Sequence, residues 1–298
     1  MRKIYGTRLR LTPNEVQVVE QFRQGKLALF EPLKEKTKLP KILLLDIETA
    51  PLSAFIWRLK TDYVSPAMLQ NSNWWMLSWS AKWLFETEMM NDVVTPKEAI
   101  EEDDERVSLS LWELVNEADI VISHNGKNFD HKMMNMRWLM HGFMPPRPYK
   151  IVDTYQVARS NFLFPSYGLD FIVKQLGIDG KVKHEGFSMW KKCLMGDKEA
   201  LSNMVKYNDK DVFILEDLYL IFRPWIKNHP SIGVYAETET PVCSACGSSH
   251  LEEAGEYRTN VSVFKNFRCQ ECGSPHNRQR VNALPLDIRK KLLTGIPG

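Results

Sequence analysis

Asp46 and Glu48 stand two residues apart at the end of the apolar run Ile42-Leu43-Leu44-Leu45. Such a run reads as a strand buried on both faces. Side chains two apart on a strand share a face, so both carboxylates point the same way. Two like charges at the end of a buried strand repel and are costly to desolvate, and a divalent cation between them is the usual remedy. The plainer alternative is a strand end with two solvated acids. Two further groupings bear on that choice. A second buried strand, Asp119 to Asn125, ends in Asn125-Gly-Lys-Asn-Phe129-Asp130, which puts an aspartate at the start of a helix. Tyr207 and Asp211 are one helical turn apart, so a phenol and a carboxylate project from one face. Asp209 lies only two residues from Tyr207 and points elsewhere.

Phosphodiester hydrolysis is the chemistry that wants these groups together. Two Mg²⁺ or Mn²⁺ ions about 3.5–4 Å apart activate the attacking water and stabilise the leaving oxygen. Hard cations prefer carboxylate oxygens. Asp46, Glu48, Asp130 and Asp211 would supply the ligands, and Tyr207 would orient the water. A histidine at 207 would act as a base with a pKa nearer 7; the tyrosine leaves more of that work to the metal.

Asp46-Ile-Glu48, Asn125-x-x-x-Phe129-Asp130 and Tyr207-x-x-x-Asp211 resemble, in order and separation, the three motifs of the DEDD exonuclease superfamily, tyrosine subclass. The resemblance runs from about Lys41 to Phe222. Asp153-Thr154, Tyr167-Gly-Leu-Asp-Phe171 and Leu176-Gly177-Ile178 resemble its connecting segments. It implies a ribonuclease H-like fold and 3′→5′ removal of nucleotides from a single-stranded nucleic acid with a free 3′ end, DNA favoured, releasing nucleoside monophosphates. It also implies that Asp46, Glu48, Asp130 and Asp211 bind two Mg²⁺ or Mn²⁺ ions and that Tyr207 is the catalytic tyrosine. Asn125 and Phe129 fall at substrate-side positions. An RNA-directed or structure-specific nuclease is one alternative on this scaffold. An inactive nuclease fold serving as a nucleic-acid-binding or assembly module is another.

Cys243-Ser-Ala-Cys246-Gly and Cys269-Gln-Glu-Cys272-Gly form a second constellation. Paired Cys-x-x-Cys knuckles predict one structural Zn²⁺ in a zinc ribbon, with Tyr257 to Arg268 as its hairpin. A redox role would need a thioredoxin-like context, which the surrounding sequence lacks. His250 and His276 are bystanders, because four cysteines fill the site, and the lone Cys193 reads as packing. Arg258, Lys265, Arg268, Arg278 and Arg280, with Tyr257 and Phe264 interleaved, suit a phosphate backbone. The alternative is a protein partner docked on the ribbon.

The elements that must position these groups read as strand, hairpin, helix, strand, helix, strand and helices, a mixed α/β layer architecture. Trp75, Leu77, Trp79, Ala81 and Trp83 share one parity of a strand from 73 to 85, paired with one over 88–94. Tryptophans at strand spacing predict core. The acidic run Glu101 to Glu105 predicts a solvated helix start. Phe129 to His141 and Gly168 to Leu176 read as helices, Ile151 to Thr154 as a short strand, and Gly196 to Phe222 as two helical stretches. Three divisions follow: a helical extension over 1–40, opened by Thr12-Pro13-Asn14-Glu15; the exonuclease-like domain over 41–223; and the ribbon over 224–298, with Pro224 to Pro241 as a hinge.

With 298 residues, 44% hydrophobic and 26% charged, the chain can bury one large core plus a small satellite. The net charge of +2 does not announce a nucleic-acid binder, so any electropositive surface must be local. The first residues have no apolar signal core, and no run approaches a membrane span. An intracellular, cytoplasmic protein without a membrane partner is expected.

Overall fold

The computed structural model describes residues 39–178, 186–236, 238 and 240–295. These belong to one compact unit, Lys38–Gly298. The helix expected near Thr12 lies outside the described residues.

Among the described residues the strands form two sheets. The larger has the order β3-β2-β1-β4-β5, from β1 (Ile42–Thr49), β2 (Met76–Trp83), β3 (Met90–Val93), β4 (Ile120–Ser123) and β5 (Lys150–Asp153). β1 runs antiparallel to β2 and parallel to β4, while β2–β3 is antiparallel and β4–β5 parallel. The central β1 is covered on both faces, so Leu43, Leu44 and Leu45 are fully buried. Its two parities serve two cores. Leu43, Leu45 and Ile47 pack in one, together with Trp75, Trp79 and Trp138. Leu44 packs in the other with Ile122, Val152, Leu215 and Phe222. The core assignment of Trp75 and Trp79 therefore holds.

α1 (Pro96–Glu101), α2 (Glu105–Glu117), α3 (Asp130–Met140), α4 (Thr154–Asn161), α5 (Leu169–Gln175), α6 (Phe187–Leu194) and α7 (Lys198–Phe222) accompany the sheet. The two stretches expected after Gly196 are one helix of 25 residues, opened by Asp197 accepting the Ala200 N–H at 2.8 Å. Neither glycine nor proline interrupts it, and its polar interior positions are held by partners on β2 and β3. Ser78 faces Asn208, Ser80 Oγ donates to Asp209 at 2.6 Å, and Lys82 pairs with Glu216. Asn91 also donates to both Asp209 oxygens, at 3.1 and 3.2 Å. Asp209 thus faces β2 and β3. One parity of β2 faces apolar core and the other forms this polar seam, which sets the register of α7 against the sheet.

The acidic run does open a helix, with Glu101, Asp103 and Glu105 exposed as expected, but Asp104 departs from the pattern. Asp104, at the start of α2, is fully buried and accepts Arg137 Nε at 2.8 Å, Arg137 Nη2 at 2.5 Å and the Met76 N–H at 2.7 Å. It ties α2 to α3 and to the start of β2.

The second sheet has the order β6-β7-β8, from β6 (Leu251–Arg258), β7 (Val263–Cys269) and β8 (Asn277–Arg278). In the segment expected to hinge, Ile226 and Ile232 are buried in the core that holds Leu44. The Ile232 N–H donates to the Ser244 carbonyl at 2.9 Å, joining that core to the first cysteine knuckle.

Candidate active site and metal centres

Asp46 and Glu48 continue the Leu44 parity of β1, the side that meets α7. There the carboxylates of Asp46, Glu48 and Asp211 bring one oxygen each within 4.8 Å of one another. Asp211 is buried and the other two are half-buried. Three like charges this close repel, which favours neutralisation, and an all-oxygen donor set suits a hard divalent cation. The β2 seam makes this meeting possible by fixing which turn of α7 crosses the end of β1. Asn208, also on α7, is fully buried. Its amide orientation follows from its neighbours: the nitrogen donates to the Asp46 carbonyl oxygen at 3.2 Å and to Asp46 Oδ2 at 3.3 Å. Sequence reading missed this residue. Its signal was an asparagine beside Tyr207, on a helix face that had to be interior.

Asp130 does not join that three-carboxylate cluster. It begins α3, is 3% exposed, and its Oδ1 accepts the Ile47 N–H at 3.3 Å. Burial pushes its carboxyl up to about 7, and the nearby Asp153 charge adds to the rise. The turn before it is tightly specified. Asn125 takes a φ of +66°, and a Cβ on Gly126 would lie 1.9 Å from Ser123 Oγ, so glycine is required there. Asp153, at the end of β5, accepts the Asn125 and Lys127 N–H groups at 2.9 and 3.1 Å. The same carboxylate caps α4 through the Tyr155 and Gln156 N–H groups. The Asn125 side chain accepts from Asn128 at 3.2 Å, which holds it within its own turn. Phe129 is half-buried against the first core, with its ring 5.8 Å from that of Trp74.

Tyr207 is 7% exposed, and its ring meets the edge of Trp190 at 5.9 Å. Trp190 lies on α6, a helix absent from the sequence expectations. With Phe187, Trp74 and residues Thr49 to Leu52 it lines a pocket of about 350 Å³. That volume is at the small end of ligand sites. The pocket begins one residue after Glu48, so an open, aromatic-lined depression adjoins the acidic cluster. Phe187 and Trp190 are spaced i, i+3, which was the available signal.

The four cysteines converge as expected for a metal centre. Cys243 Sγ is 3.7 Å from Cys272 Sγ, and Cys246 Sγ is 3.6 Å from Cys269 Sγ. Sulfurs about 2.3 Å from a tetrahedral Zn²⁺ are about 3.8 Å apart, whereas a disulfide brings them to about 2 Å. The donor set therefore fits one tetrahedral ion. The two knuckles repeat one backbone pattern. Cys243 N–H donates to Ser248 and Gly247 N–H to Cys243; Cys269 N–H donates to Ser274 and Gly273 N–H to Cys269, all within 2.8–3.0 Å. Gly247 and Gly273 take φ of +79° and +75°, the left-handed turn each knuckle needs. Cys193, by contrast, is fully buried, with its thiol pushed up to about 12, chiefly by burial. It is a packing residue.

Among the described residues, no helix is long and apolar enough to cross a membrane. A family model described as the RNase_H superfamily matches residues 84–222, a span that holds Asp130, Tyr207 and Asp211 but begins after β1. No curated protein matches the chain. Among solved structures, the family B DNA polymerase from the hyperthermophilic archaeon Pyrobaculum calidifontis is similar over 64% of this chain and 26% of that one. That similarity has 13% identity and a TM-score of 0.46, and the chain spans about a quarter of the polymerase's length. The fold of the five-stranded sheet and its helices is ribonuclease H-like.

Proposed function

We propose that this protein is a metal-dependent 3′→5′ exonuclease of the tyrosine-type DEDD class, acting on single-stranded nucleic acid, DNA favoured. The observation that carries the reading is the meeting of Asp46, Glu48 and Asp211, from β1 and α7, with Tyr207 one turn from Asp211. The three carboxylates would hold Mg²⁺ or Mn²⁺, with Asp130 as the further ligand the motif order suggests. When bound, these ions acidify water and neutralise charge on the phosphoryl oxygens.

The chain's own groups account for the remaining tasks. Tyr207, one turn from Asp211 on α7, would orient the water that attacks phosphorus. The bond from phosphorus to the 3′ oxygen of the penultimate nucleotide breaks. A nucleoside 5′-monophosphate leaves, and the shortened strand keeps a 3′-hydroxyl. Trp74, Phe187 and Trp190 offer ring faces for the terminal base, since stacking on aromatic side chains is tolerant of sequence. Asn125 and Phe129 line the turn on the substrate side. In the ribbon, Cys243, Cys246, Cys269 and Cys272 would hold one structural Zn²⁺.

The test is a 5′-labelled single-stranded oligonucleotide incubated with Mg²⁺. A ladder that shortens from the 3′ end is expected, with Asp46→Asn abolishing it and leaving the melting temperature intact. Binding without cleavage in both Mg²⁺ and Mn²⁺ would instead mark an inactive nuclease fold. Undiminished cleavage by purified Asp46→Asn would sink the metal assignment.

A further inference from the structure

The two faces of the ribbon sheet differ in how their charges are paired. Cross-strand partners share a face, so the pairings Tyr257↔Phe264, Glu252↔Arg268 and Asn266↔Arg278 place these six residues on one side. Val263, Lys265, Phe267 and Cys269 lie on the other, where Val263 and Cys269 are buried and Cys269 belongs to the cysteine cluster. On that inner side the charges neutralise one another: Lys265 pairs with Glu253 and Arg258 with Glu256. On the outer side Glu252, opposite Arg268, accepts from Gln270 at 2.7 Å, and among the described residues no ion pair reaches Arg268 or Arg278.

The outer face also has a fixed internal geometry. The Arg278 guanidinium lies 4.1 Å from the centroid of Phe264 and 5.7 Å from that of Tyr257. Tyr257 is 49% exposed, and Arg268 and Arg278 are exposed as well. The two rings hold the guanidinium of the exposed Arg278 side chain, which makes a 3.5 Å contact from Nη1 to the Gln279 carbonyl. A planar cation beside an exposed phenol ring matches a phosphate with its neighbouring unstacked base.

We propose that this face, built from Tyr257, Phe264, Arg268 and Arg278, binds single-stranded DNA away from the acidic cluster. Arg268 and Arg278 supply the phosphate contacts and Tyr257 the stacking surface. Nothing in the face demands a 2′-hydroxyl, and duplex DNA would keep its bases from the ring. The inference does not depend on whether the acidic cluster cleaves.

The experiment measures fluorescence anisotropy of a labelled 20-nucleotide strand with the full chain carrying Asp46→Asn, so that the probe survives. Arg268→Glu with Arg278→Glu should weaken binding at least tenfold at 100 mM salt. Because each arginine neutralises one phosphate, the slope of log affinity against log salt should fall by about 1.4. Tyr257→Ala should weaken binding several-fold and leave that slope unchanged. Unaltered affinity and slope in the double variant, with zinc content and melting temperature retained, would overturn the proposal. If the double variant loses zinc, the lysine pair Arg268→Lys, Arg278→Lys serves: it should keep the salt slope, and a collapsed slope counts against the proposal. Equal affinity for RNA or for duplex of the same sequence refutes the assignment to single-stranded DNA. Absence of cleavage by the wild-type chain leaves this readout untouched.

Discussion

Asn208→Leu isolates what the buried amide does for the acidic cluster. The side chains have the same branched shape and heavy-atom count, so the seam between α7 and β2 stays filled, but two donations to Asp46, at 3.2 and 3.3 Å, disappear. Leaving buried acceptors without their donor costs about 1–3 kcal/mol of stability. The larger consequence should be at the cation. Groups that orient a ligating carboxylate are typically worth about 10–100-fold in metal affinity, or about 1.4–2.7 kcal/mol. The assay is a Mn²⁺ titration followed by electron paramagnetic resonance on the protein alone, which needs no catalytic turnover. The midpoint is expected to rise by about 10–100-fold, and urea unfolding without divalent ions should show the smaller stability loss. Asn208→Asp supplies the opposite arm. It adds a carboxylate beside Asp46, so stability should come to depend more steeply on Mn²⁺. An Asn208→Leu protein whose Mn²⁺ midpoint equals that of wild type would refute the reasoning, because Asn208 would then be packing alone.

Two other expectations follow from buried groups away from the cluster. Arg137→Met leaves Asp104 charged, fully buried and without its bidentate partner; a loss of about 3–5 kcal/mol is expected in urea unfolding. Adding Asp104→Asn should recover part of that loss, whereas simple additivity of the two changes would contradict a coupled pair. His229 is buried, and its Nδ1–H donates to the Pro230 carbonyl at 2.8 Å, which leaves Nε2 to accept from the Tyr219 hydroxyl at 2.8 Å. Burial lowers its pKa from 6.5 to about 4. The unfolded chain therefore binds the extra proton between these values, so stability is full above about pH 6.5 and falls as pH drops towards 4. The contribution between pH 7.5 and 5.5 is about 1 kcal/mol. His229→Gln should shrink the acid-dependent drop by that amount, and an unchanged drop would show that this histidine is not its source.

The apolar runs made β1 and β4 legible, because a strand covered on both faces has no polar parity to obscure it. The positions of Asp46, Glu48, Tyr207 and Asp211 were legible for a related reason: periods of two and of about four residues state which side chains share a face. The paired knuckles were readable from spacing because each Cys-x-x-Cys pair is local and brings two sulfurs to one side of a turn. What sequence left hidden is long-range. The polar residues within α7 look like interruptions until Ser78 and Ser80 are found across the sheet, 130 and 129 residues away. Asp104 reads as one of several solvated acids until Arg137, 33 residues on, is seen beside it.

The same contrast explains how the acidic cluster is built. A charge repulsion at the end of β1 would by itself push Asp211 away, and helix propensity does nothing to resist that. The resistance comes from the β2 seam, where Asp209 and Glu216 flank Asp211 on α7 and are bound to Ser80 and Lys82. With Asp209 and Glu216 tied down on either side, α7 cannot rotate to release Asp211 without breaking the bonds of the seam. Those neutral and ion-paired partners hold the like charges together before any cation binds. The seam, though remote from any reacting atom, therefore keeps the cluster preformed for the ion it would receive.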